Sequence, residues 1–237
     1  MTLDKQYAFV KAEITKGCDL TAERRCIVLC GQPGAGKTTY AARLKKQYIA
    51  FDGDRIMELC GGLTEIGNYV SRRLLREFAQ MGCNIIYETP LADADNILGL
   101  CRKGLKLGYA ISLVIIACDG AKALYSTLER SRRALDDGGF VRLCSYGFYL
   151  NKTQAFLKSC PIVTAADVFK SVTVLNREGE TLYAGADGNA AYEAVIKEVN
   201  IAELNSVKTD FDARFKELAQ RYRQYKEKKC TIPFTTI

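Results

Sequence analysis

The chain has 237 residues, a net charge of +7 at neutral pH, and 48% hydrophobic against 26% charged residues, a balance that excludes an intrinsically disordered protein. Its longest apolar run, residues 109–118, is only about half a membrane span, and the mixed charges of residues 1–7 offer no apolar export signal, so a membrane role is not expected. Ten cysteines lie singly in apolar stretches, as at Cys26, Cys30, Cys83 and Cys118, and the absence of histidine and of C-x-x-C pairs excludes a structural zinc site and points to a reduced, cytoplasmic setting.

The first apolar run, residues 26–30, reads as a short strand. It leads into Gly31-Gln32-Pro33-Gly34-Ala35-Gly36-Lys37-Thr38, a complete phosphate-binding loop, followed by a helix-like stretch at 39–47. A triphosphate needs several backbone N–H donors aimed at it, and a Gly-rich turn curls tightly enough to supply them. The following helix adds its positive end. Gly31 through Thr39 are therefore the expected nucleotide-binding residues, with Lys37 on the β- and γ-phosphates and Thr38 on Mg²⁺.

Beyond the loop, short apolar runs alternate with amphipathic stretches. Strands are expected at 49–52, 84–87 and 111–118, and helices at 64–81, 93–107 and 121–135. Strands buried on both faces read as continuous apolar runs, so the predicted fold is α/β, a P-loop NTPase or kinase fold with a mainly parallel sheet and helices on both faces. A helix over 146–159 follows, then apolar runs at 172–175 and 181–183 around the turn Asn176-Arg177-Glu178-Gly179-Glu180. That pair is either a terminal hairpin or one strand with its extension.

Residues 185–188 read as a flexible joint, giving one kinase domain over 1–237 with a core of about 20–185 and a helical extension of about 188–230. In that extension Phe211, Phe215, Leu218, Tyr222 and Tyr225 recur at steps of four and three, the stripe of a helix packed along its length. The intervening Lys and Arg residues then form a solvated face, and nucleic acid is not an expected partner.

In parallel sheets ligands sit outside the carboxyl ends of the strands. Three such ends carry polar groups: the phosphate loop, Asp52-Gly53-Asp54-Arg55, and Glu88-Thr89-Pro90. Phosphoryl transfer to a hydroxyl needs a donor clamp, a metal, a proton acceptor and cations for the moving charge. Asp54, at the tip of the strand expected beside the phosphate loop, is the candidate general base. Asp52 is its rival, and both residues also fit a turn or helix cap. Glu88 either positions the acceptor, together with Thr89, or serves as an outer-shell carboxylate of the metal. Arginines cluster at 130–133, and Arg142 follows the Gly138-Gly139 break, a pattern that reads as a mobile lid. Lys37, Asp54, Arg130 and Arg142 form the candidate catalytic set, while Arg132 and Arg133 fit a solvated helix face equally well. Asn151-Lys152-Thr153-Gln154 lacks the aspartate of a guanine reader, which excludes a GTPase switch and favours a metabolite-sized kinase.

Together the phosphate loop, Asp52-Gly53-Asp54 with Arg55, Glu88-Thr89, Leu128-Glu129-Arg130, Val141-Arg142 and the Asn176-Arg177-Glu178-Gly179 segment resemble the zeta toxin family, kinases of bacterial toxin–antitoxin systems. The resemblance spans about residues 20–185. It implies ATP- and Mg²⁺-dependent phosphorylation of the 3′-hydroxyl of the nucleotide sugar UDP-N-acetylglucosamine, and a small helical antitoxin as partner. It also implies Asp54 as base, Lys37 and Thr38 on Mg·ATP, Glu88 on the sugar, and Arg130 with Arg142 on the transferring phosphate. The chain departs from the family near the acceptor. Ile56-Met57-Glu58-Leu59-Cys60 lacks a His-Pro pair, Leu143-Cys144-Ser145-Tyr146 lacks a histidine, and Thr89-Pro90-Leu91 replaces Gly-Thr. A metabolite or antibiotic kinase with the same donor site, and a non-catalytic ATP-binding regulatory module, are the alternative readings.

Overall fold

The computed structural model describes residues 2–20 and 22–230. In chain order the elements are α1 (Leu3–Thr15), β1 (Arg25–Cys30), α2 (Lys37–Leu44), β2 (Ile49–Phe51), α3 (Gly53–Leu59), α4 (Thr64–Met81), β3 (Ile85–Thr89), α5 (Ala94–Lys106), β4 (Ala110–Ile116), α6 (Gly120–Asp136), α7 (Tyr146–Thr164), β5 (Ser171–Leu175), β6 (Thr181–Gly185), α8 (Gly188–Glu198) and α9 (Leu204–Cys230).

The strands form one sheet in the order β2-β3-β1-β4-β5-β6, parallel throughout except for the antiparallel β5–β6 hairpin. β1 and β4 are central because the apolar runs 26–30 and 113–116 bury both faces. On one face Val28, Ile85, Ile111 and Leu113 meet Val70 and Phe78 of α4, Ile97 of α5, Phe156 of α7 and Val195 of α8. On the other, Leu29, Ile86, Val114 and Ile116 meet Ala41 of α2, Leu124 of α6, Tyr149 of α7 and Phe211 of α9.

The strand beside the phosphate loop is β3, not the strand that precedes Asp54, which corrects the expected placement. β2 is only three residues long and lies at the sheet edge, whereas Ile85 and Ile86 of β3 are buried on opposite faces. β1 therefore pairs with β3, in the register Leu29↔Glu88 and Cys30↔Thr89. Asp54 instead sits in the first turn of α3, one strand further out.

Two other segments differ from expectation. α1 was not foreseen: Tyr7, Val10 and Ile14 repeat at helical spacing, and Val10 is fully buried in the core beside α4 and β2. Residues 185–188, read as a joint, are exposed at 185–187 and close-packed only at Gly188. Asp187 caps α8, and a side chain at Gly188 would meet the Thr164 carbonyl oxygen at 2.6 Å. The C-terminal stripe packs as expected, with Phe211 edge-on to Tyr125 and Leu218 against Leu135 and Val141. Among the described residues, no helix is long and apolar enough to cross a membrane.

Candidate active site

The loop from Gly31 to Gly36 joins the central strand β1 to α2, at the carboxyl edge of the sheet. Its glycines have different jobs. Gly34, at φ 78°, lies so close to α6 that a Cβ there would stand 2.1 Å from the Ala123 carbonyl oxygen. Gly36 caps α2 with φ 109°, and no side chain caps that helix. By contrast α3, α5, α6 and α8 are capped by Asp52, Asp93, Asp119 and Asp187. The first-turn N–H groups of α2 are thus left without a side-chain acceptor, the arrangement that suits a phosphate.

The other loop residues hold this shape. Gln32 is fully buried and its amide donates to the Cys118 carbonyl beyond β4, while Ala35 N–H donates to the Gln32 carbonyl at 3.2 Å. Pro33 is half-buried, and Thr39 is exposed on the first turn of α2. Lys37 Nζ donates to the Gly31 and Gln32 carbonyls at 2.8 and 3.1 Å. Burial lowers the Lys37 pKa, the charges of Glu88 and Asp52 oppose that shift, and Arg130 adds to it.

Glu88 shares this space. Thr38 Oγ1 donates to Glu88 Oε2 at 3.3 Å. Burial, reinforced by the neighbouring Asp52 charge, pushes the Glu88 pKa up to about 7 against the pull of Lys37. The donor set is one that would suit a Mg²⁺ ion, with the Thr38 hydroxyl as the group that would ligate it and Glu88 and Asp52 as nearby negative charge. Among the described residues no group of three or more His, Cys, Asp and Glu forms a metal cage.

Asp52 accepts the Asp54 N–H at 2.9 Å and so acts as the cap of α3. Asp54 is half exposed and ion-paired with Arg142 from the segment between α6 and α7. Ser131 of α6 donates to the Arg142 carbonyl, which ties that segment down. Arg130 is brought close enough to Lys37 for the two charges to interact, whereas Arg132 and Arg133 turn outward to Glu129 at 2.8 and 3.0 Å. Thr89 is buried, and its hydroxyl accepts the Leu91 N–H at 3.0 Å, stabilising a turn in which Leu91 adopts φ 52°. Its side chain is thus engaged locally rather than in the cleft.

One contact had no assigned role in the sequence. Arg177, in the β5–β6 turn, donates to the Gly34 carbonyl at 3.2 Å and also to the Ser126 hydroxyl. It braces the phosphate loop from a position 143 residues away in the chain. The Asn176-Arg177-Glu178-Gly179 motif was visible, but its target was not.

A central parallel strand feeding a glycine loop, with carboxylates and arginines gathered at the same sheet edge, defines the P-loop kinase class of fold. The chain belongs to the zeta toxin family, whose profile matches residues 11–187. No curated protein matches the chain. Among solved structures it is similar to one of the PezAT chromosomal toxin–antitoxin system of Streptococcus pneumoniae, with TM-score 0.66 and 16% identity over 92% of this chain and 96% of that one. It is also similar to the AvrRxo1-ORF1:AvrRxo1-ORF2 complex with sulphate ions (TM-score 0.63, 13% identity, 91% and 84% of the chains) and with ATP (0.59, 14%, 92% and 86%).

Proposed function

We propose that this protein is a cytoplasmic Mg·ATP-dependent kinase that phosphorylates a hydroxyl of a nucleotide sugar, with the 3′-hydroxyl of UDP-N-acetylglucosamine as the leading acceptor and a small helical antitoxin as its partner. The observation that carries this reading is the convergence of Asp54, Glu88, Arg130 and Arg142 on the cleft beside Lys37 and Thr38. Family membership and the ATP-bound structural neighbour support the donor; the antitoxin follows from the systems to which the neighbours belong.

In this mechanism the loop N–H groups and Lys37 hold the β- and γ-phosphates, and Thr38 would hold a bound Mg²⁺, which would supply positive charge against the phosphates. Asp54 accepts the proton of the acceptor hydroxyl as its oxygen attacks the γ-phosphorus. Arg142 and Arg130 neutralise the moving phosphoryl group, so Arg142 must leave Asp54 as acceptor and donor enter. Glu88 orients the sugar from the floor of the cleft. Purified protein incubated with ATP and UDP-N-acetylglucosamine should release ADP and a singly phosphorylated sugar nucleotide. A panel of other nucleotide sugars, metabolites and aminoglycosides assigns the acceptor, and ATP binding without turnover on any of them would overturn the kinase reading.

A further inference from the structure

Away from the nucleotide edge, α4 and α5 leave a crease between them above the buried sheet. Between them lies a trough of about 450 Å³, floored by Val28 of β1, Ile85 of β3 and Ile111 of β4. Leu75 and Ala79 of α4 form one wall, and Leu100 of α5 the other. Gly104 lets α5 approach β4 closely, since a Cβ there would stand 3.2 Å from Ile111 Cδ1. The sheet beneath is therefore covered, with Val28 and Ile85 3% and Ile111 2% exposed, and the open apolar surface is that of the helix walls, Leu75, Ala79 and Leu100.

The rim is as one-sided as the floor. Arg72 and Arg76, one turn apart on α4, and Lys103 on α5 border the same trough. All three are exposed, and among the described residues none of them makes an ion pair. Other cations nearby are matched: Arg73 meets Asp4 at 3.4 Å, and Lys11 is held by Glu77. Three like charges gathered over an apolar slot repel one another until an anion sits among them.

We propose that this trough is a second ligand site, taking a small anionic amphiphile whose hydrocarbon body lies between the α4 and α5 walls and whose acid group is held by Arg72, Arg76 and Lys103. The volume is within the ~300–1,000 Å³ of ligand pockets, and the lining is the usual one of apolar walls with a few convergent polar groups. The site goes beyond phosphoryl transfer and does not depend on it.

Calorimetric titration of the full chain with decanoate, decanol and acetate tests the assignment. Decanoate should bind at one site with a dissociation constant of about 10–100 µM, decanol about tenfold more weakly, and acetate not measurably. The double variant Arg72→Gln/Arg76→Gln should reduce decanoate to the affinity of decanol. Leu100→Trp, which fills the trough, should abolish both, and Ala79→Phe must do the same from the opposite wall, so that a folding defect in one variant leaves the other as the test. Equal binding of decanoate and decanol, unchanged binding in the double variant, unchanged binding in a folded trough-filling variant, or no saturable binding of decanoate each overturns the proposal.

Discussion

The Asp54 carboxylate and the Arg142 guanidinium hold each other across the cleft, although 88 residues separate them in the chain (142 − 54) and they come from opposite sides of the nucleotide loop. A base occupied by a cation accepts a proton poorly, and an arginine held by a carboxylate is not yet on the phosphate. The pair therefore reads as a latch between the lid and the acceptor side. Replacing Asp54 by Asn should lower kcat by about 10²–10⁴ with ATP affinity nearly unchanged. Arg142→Gln should also lower kcat, and the double variant should be no slower than the slower single, because the two act as one unit. Steady-state ADP release together with ATP-binding calorimetry checks this, and full turnover by the Asp54 variant would remove it as the base.

Glu88 makes stability depend on pH. Its pKa is raised by burial and the neighbouring Asp52 from 4.5 to about 7, so the folded chain binds this proton more tightly than the unfolded chain does. Stability from this group is then fully present below about pH 4.5 and is lost as pH rises to about 7, by at most about 3 kcal/mol because the residue is only partly buried. Glu88→Gln should flatten the difference between urea midpoints measured at pH 5 and pH 8. A Mg²⁺ ion or Lys37 moved closer would favour the ionised form, so Mg·ATP should stabilise the wild type more at pH 8 than at pH 6, and this difference should vanish in the variant.

The phosphate loop was readable because its chemistry is local: strand, glycine turn, lysine, threonine and helix follow one another from residue 25 to 44. The α/β class was readable for the same reason, since each apolar run and each helical stripe is its own signal. What depended on strand order was not. Nothing local says that β3 rather than β2 lies beside β1, so Glu88 proved closer to Thr38 than the placement of Asp54 suggested. Thr89 was grouped with Glu88 by adjacency, yet alternation along the strand turns its hydroxyl to Leu91 instead. α1 carries a weak local signal, since Val10 is its one buried residue and it stands ahead of the βαβ pattern.

Arg177 should matter to nucleotide binding although it has no place in the chemistry. Its guanidinium holds the carbonyl of Gly34 and the hydroxyl of Ser126, fixing the peptide whose N–H, that of Ala35, closes the loop turn on the Gln32 carbonyl. A charged hydrogen bond of this kind contributes roughly 1.5–3 kcal/mol. Arg177→Ala should therefore weaken ATP binding about tenfold or more, with Arg177→Lys in between, since an ammonium cannot reach both acceptors with the same fork. Kcat at saturating ATP should change much less. Fluorescent-nucleotide titration separates the two, and wild-type affinity in the alanine variant would show that the brace is unnecessary.

α9 lies beyond residue 187, where the family match ends, yet it is built into the core. Phe211 is fully buried, edge-on to Tyr125 at 6.0 Å and stacked on Phe215 at 6.1 Å, while Leu218 closes the space between Leu135 and Val141. The polar contacts further along are of a different kind: Arg221 meets Asp136 at 2.8 Å with both side chains nearly half exposed. Burial should dominate. Phe211→Ala removes a ring from a closed site and is expected to cost about 3–5 kcal/mol, which at roughly 2–4 °C per kcal/mol for a chain of this size lowers the melting temperature by about 10 °C. Arg221→Ala should cost under about 1 kcal/mol, as exposed pairs do. Both values come from the same thermal scans, and an effect at Arg221 equal to that at Phe211 would mean that α9 is held by charge rather than by packing against α6.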